Sequence, residues 1–67
     1  MATRRYEFRV EGTLSDEARA AFVDMRIMEV PSQTVLDGDV LDESQLHGII
    51  AQFQALGITV VSVLPIP

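Results

Sequence analysis

A chain of 67 residues without cysteine holds one domain, and neither disulfides nor thiolate-bound zinc can staple it. Its 48% apolar content argues against intrinsic disorder, and ten acids against five bases (formal net charge -5) disfavour a nucleic-acid partner. All fifteen charged side chains lie between Arg4 and Glu43, and none from Ser44 to Pro67.

The start, Met-Ala-Thr-Arg-Arg-Tyr-Glu, has basic residues but no apolar stretch behind them, so no signal peptide is expected and a cytoplasmic location is inferred. Residues 4–11 then alternate. Tyr6, Phe8 and Val10 point one way, and Arg5, Glu7, Arg9 and Glu11 the other, which predicts a half-buried strand ended by Gly12. Arg4, Arg5 and Arg9 are candidates for a phosphate or carboxylate clamp, but cross-strand ion pairs account for Arg5 and Arg9 more simply.

Residues 14–25 predict a first helix. Ser15 or Thr13 caps it, Asp16 and Glu17 suit its first turn, and Ala18, Ala21, Phe22 and Met25 share a thin apolar face. Two strands follow, Arg26 to Val30 and Thr34 to Val40, joined by Pro31-Ser32-Gln33. Pro31 cannot donate to a ladder, so its strand is expected at an edge. Asp37-Gly38-Asp39 reads as a turn or bulge at the exit of the second strand, or else as the hairpin turn itself. Asp37, Asp39, Asp42 and Glu43 lie close in sequence, but their spacing does not fit a calcium loop, and a solvated turn is the simpler reading.

Residues 42–56 predict the second helix. Asp42 is the N-cap and Gln45 completes a capping box; Leu41 and Leu46 make a hydrophobic staple. Leu46, Ile49, Ile50, Phe53 and Leu56 form a continuous apolar face, and Gly57 is the expected C-terminal cap. Residues 58–64 predict a last strand, apolar on both sides and stopped by Pro65 and Pro67. The uncharged segment 44–67 is therefore a helix and a strand rather than a membrane span, and Gln45, His47, Gln52 and Gln54 interrupt it. The order β-α-β-β-α-β predicts an α+β, ferredoxin-like fold: a four-stranded antiparallel sheet with both helices on one face.

Opposite the apolar face of the second helix, Ser44, Gly48, Ala51 and Ala55 cluster within about 60°. An exposed face normally carries charge, and Gly48 costs the helix about 1 kcal/mol relative to Ala. Small residues in a row let another backbone approach. Ser44, Gly48, Ala51 and Ala55, with Val60 on the last strand, are the expected interface. A chain this short buries only about 60% of its unfolded surface, so self-association is the remaining staple. His47, the single histidine, is a weak candidate for a ligand site or a general base, since nothing in the sequence is arranged around it. No nucleophile elbow or Gly-rich phosphate loop is present, and no cofactor or metal is expected.

The stretch Tyr6-Glu7-Phe8-Arg9-Val10-Glu11-Gly12-Thr13-Leu14 resembles the start of a family of short, chiefly actinobacterial proteins of uncharacterised function. So do Asp42-Glu43-Ser44-Gln45-Leu46-His47-Gly48-Ile49-Ile50, Leu56-Gly57-Ile58 and Val61-Ser62-Val63. The resemblance spans nearly the whole chain and implies no catalytic residue. At fold level the passage from Gly48 to Val63 is similar to ACT-type regulatory domains, although in those the Gly-containing helix follows the first strand. The resulting expectation is a small non-enzymatic module, regulatory or accessory, that docks as a homodimer or onto a protein partner through the second helix and the open sheet face. The alternatives are a domain sensing an amino-acid-like molecule at its dimer interface, and a small dimeric enzyme using His47.

Overall fold

Strict alternation in β1 sends one row of side chains into a core and the other away from it. In the computed structural model, which describes residues 3–67, β1 is Arg4–Glu11; Phe8 and Val10 are fully buried. The first helix, α1, is Asp16–Ala21, shorter than the 14–25 that its pattern predicts. Ser15 caps it, its Oγ accepting from the Ala18 N–H at 3.2 Å. Only Ala18 and Phe22 of its expected apolar face are buried, while Ala21 is exposed. At Phe22 the chain turns, the Phe22 N–H donating to the Arg19 carbonyl, because β2 must start four residues later running back along the sheet.

The strands β2 (Arg26–Val30) and β3 (Gln33–Val40) form a hairpin around Pro31-Ser32, with Val30 opposite Gln33. Proline holds φ near -65°, which excludes the usual primed hairpin turns, and Ser32 takes the left-handed conformation (φ 66°) instead. As Pro31 implied, β2 lies at an edge.

Asp37-Gly38-Asp39 is neither a turn nor a strand exit. It lies inside β3 with unbroken pairing, Asp37 opposite Glu7, Gly38 opposite Tyr6 and Asp39 opposite Arg5. Period two explains the triplet. Gly38 points toward Met25, whose Cγ would stand 3.1 Å from an added Cβ, and both aspartates point to the other face.

The second helix, α2, is Glu43–Ala55. The Asp42 carboxylate accepts from the Gln45 N–H at 2.9 Å. The Gln45 Oε1 accepts from the Leu41 N–H at 2.6 Å, so the return bond of the capping box is displaced by one residue. Leu41 remains 59% exposed, and the expected staple with Leu46 covers little. At the other end Gly57 (φ 73°) reverses the chain: its N–H donates to the Gln54 carbonyl, and the Ile58 N–H to that of Phe53. These are the two bonds of a Schellman motif.

The last strand, β4, is Val60–Pro65, and beyond it the Ile66 N–H still donates to the Arg5 carbonyl at 2.8 Å. The sheet order is β2-β3-β1-β4, antiparallel throughout, the ferredoxin-like layout. Both helices cover one face. Phe22 and Phe53 stack with centroids 4.6 Å apart, Phe8 lies 5.7 Å from Phe53, and Leu14, Ala18, Leu36 and Val40 complete the buried cluster. No helix among the described residues is long and apolar enough to cross a membrane.

Candidate interaction surfaces

Ser44, Gly48, Ala51 and Ala55 are all exposed on α2, and nothing lies within 4 Å of where a Cβ on Gly48 would stand. The sequence placed these four together, and the fold keeps them together. Val60 is separated from them. It is half-buried and packed against the core cluster under the helices. A bulge in the pairing of β1 with β4 between Arg9 and Val10 turns it to the core rather than to the open face, by setting Val60 opposite the buried Val10, and the α2 stripe lies on the far side of the helix layer.

The uncovered sheet face carries the charged outer row expected of β1, and only its last strand was expected to be apolar there. Opposite register positions put Arg5, Glu7, Arg9 and Glu11 of β1 beside Asp39, Asp37, Val35 and Gln33 of β3. Arg5 forms an ion pair with Asp37 and a looser one with Asp39 at 3.7 Å. The Arg9 Nε donates to Glu7 Oε1 at 2.8 Å and its Nη1 to Gln33 Oε1 at 3.5 Å. From β4 this face receives Ser62 and Leu64, opposite Arg9 and Glu7. Val35 is 8% exposed without a layer above it and outside the main cluster, which shows how closely these long side chains lie over the sheet. Met28 on β2 and Leu64 on β4 are each about half exposed, at opposite margins of the face.

Sequence reasoning expected cross-strand ion pairs for Arg5 and Arg9; Arg5 forms them, with Asp37 and Asp39 that the sequence reading did not name as its partners, whereas Arg9 pairs with Glu7 of its own strand. The signal was present: Thr34, Leu36, Gly38 and Val40 alternate in phase, which leaves both aspartates on one outer row. The four acids near Gly38 do not converge, since Asp42 caps α2 while Asp37 and Asp39 face Arg5. Among the described residues no three of His, Asp and Glu are grouped so as to hold a metal ion. His47 is exposed and forms no ion pair among the described residues.

An open cleft of about 380 Å³ lies at one end of the sheet, between the segment Thr13–Ala18 and the turn from Leu56 to Thr59. Leu14, Leu56 and Ile58 provide apolar wall, and Thr13, Ser15 and Thr59 hydroxyls. Ser15 is already engaged as the cap of α1.

Residues 5–64 match the model of a family described as a domain of unknown function, DUF8691. The chain belongs to that family. The matched span runs from the first charged residue of the open face to Leu64 at its margin, so it takes in both helices and all of the sheet but its two terminal residues, Arg4 and Pro65. Neither the curated proteins nor the solved structures include a match to this chain.

Proposed function

We propose that this DUF8691 chain is a small, non-enzymatic module that works by self-association. The observation that carries the reading is the one-sided sheet. Two helices cover one face, and the other bears exposed Met28 and Leu64 within a layer of charge. A domain of this size has little core to spare, and a second copy is a ready source of further burial. The exposed small-residue stripe on α2 supports the same reading from the opposite side of the molecule, as a second contact for a copy or a protein partner. With it goes the accessory, cytoplasmic and bacterial setting expected from the sequence.

Sedimentation velocity over a micromolar concentration series tests this. A concentration-dependent dimer is expected, and a strictly monomeric, stably folded chain would refute it.

A second reading rests on the end cleft, whose size lies within the range of small-molecule sites. On that reading the domain senses an amino-acid-like molecule, as ACT-type domains do. A thermal-shift screen against free amino acids and related metabolites tests it, because a ligand that binds only the folded state raises the midpoint.

A further inference from the structure

The charge order along β1 is self-complementary. On the uncovered face it reads Arg5, Glu7, Arg9, Glu11. A copy turned end over end presents Glu, Arg, Glu, Arg, so each position meets its opposite. Together β1 and β3 are the two central strands of the sheet, so this row runs through the middle of the face.

Two placements of a two-fold axis between stacked sheets differ sharply. An axis along the strands exchanges β1 with β3; it sets Arg5 over Asp39, but also Glu7 over Asp37, a like-charge contact that offsets it, and it leaves Arg9 over Val35 and Glu11 over Gln33. An axis across the strands, between Glu7 and Arg9, lays β1 antiparallel over β1. It sets Arg5 over Glu11 and Glu7 over Arg9, and in β3 it sets Asp39 over Gln33 and Asp37 over Val35, with no like charges facing in either central strand. Among the described residues Glu11 forms no ion pair, so it is the carboxylate that an incoming Arg5 has to meet.

The geometry points to a face-to-face homodimer, in which two copies stack their uncovered sheet faces about a two-fold axis that pairs Arg5 with Glu11 and Glu7 with Arg9. It rests on the self-association proposed above and names the surface. A face four strands wide and seven residues long measures roughly 19 by 23 Å at ordinary strand spacing and rise. With side-chain relief, two such faces approach the ~1,200 Å² at which specific interfaces begin. Aligned sheet packing tolerates a rotation of about 30°, which disturbs the central strands least. At the margins the same axis sets Met28 over Arg26 and Leu64 over Ser62, and the charges set orientation and a strong salt dependence.

The test uses two full-length variants. Arg5→Glu with Arg9→Glu makes the β1 row wholly acidic; Glu7→Arg with Glu11→Arg makes it wholly basic. Each alone is expected to self-associate at least ~10-fold more weakly than the parent chain, as facing like charges dictate. Mixed in equal amounts they are expected to form a heterodimer, read by sedimentation at low ionic strength. Circular dichroism establishes that each is folded. Should either double variant unfold, Arg9→Glu and Glu7→Arg as single changes carry the same logic, each repelling itself and pairing with the other. Variants that dimerise like the parent, with no gain on mixing, overturn the sheet stack and leave self-association standing. Loss of the dimer on Ala51→Arg with those variants unaffected moves the contact to the α2 stripe. A parent chain that never dimerises overturns both proposals.

Discussion

Phe53→Leu is the sharpest probe of how α2 is held. Phe53 is fully buried, stacked on Phe22 at 4.6 Å and tilted against Phe8 at 5.7 Å, so one side chain joins both helices to the sheet. Leucine keeps the site apolar and nearly filled but removes two aromatic contacts, each worth about 0.5–1.5 kcal/mol beyond its buried area. With a small residual void the expected loss is about 2 kcal/mol. A chain of this length has roughly 3–10 kcal/mol of stability in all, so the change is a sizeable fraction of it. At about 4–8 °C per kcal/mol the thermal midpoint should fall by about 8–16 °C. Thermal denaturation followed by circular dichroism reads this directly, with both chains at one low concentration because self-association makes the midpoint concentration-dependent. A fall of less than about 3 °C would show that Phe53 does not join the two helices to the sheet in this way.

Two further substitutions test local features. Ser32→Gly should raise stability by about 0.5–1 kcal/mol in urea denaturation, since glycine relieves the left-handed conformation at φ 66° and this outweighs its greater freedom in the unfolded chain. A lowered midpoint would mean that the turn is not built as described. Thr34→Val removes a fully buried hydroxyl that donates to the Gly12 carbonyl at 2.7 Å. About 1–2 kcal/mol should be lost, because the isostere leaves that acceptor without its donor; an unchanged urea midpoint would contradict the bond.

Elements with an unambiguous period were legible, and those that depended on a neighbour were not. The alternation of Tyr6, Phe8 and Val10 against Arg5, Glu7 and Arg9 defines β1 without reference to anything else. Asp42, with Gly57 beyond the last turn, brackets α2 in the same local way. The triplet Asp37-Gly38-Asp39 has turn composition, and only the approach of Met25 to Gly38 and of Arg5 to both aspartates makes it a strand interior. The length of α1 was set by the burial of Phe22 and the need to reverse into β2, which no propensity of residues 23–25 reveals.

The candidate surface divides along the same line. That Ser44, Gly48, Ala51 and Ala55 share a stripe follows from helical spacing alone, and the stripe is exposed as that spacing implies. Where Val60 faces depended on a one-residue bulge against β1, and a strand side chain changes faces with each single-residue shift.

The sequence by itself determined the order of elements, their caps and which residues of β1 and α2 are apolar-facing, because these follow from period and local hydrogen bonding. It also contained the Arg-Glu-Arg-Glu order of β1. The β-α-β-β-α-β order also implied a bare sheet face; tertiary structure decided the strand register that sets this row beside Asp37 and Asp39 and between the half-exposed Met28 and Leu64. Strand order is a property of which strands pair across the sheet, and pairing partners far apart in the chain leave no local mark. The uncharged third of the chain first suggested where a second copy would dock. The sheet order draws attention instead to the charged row, because it brings that row to the middle of the bare face.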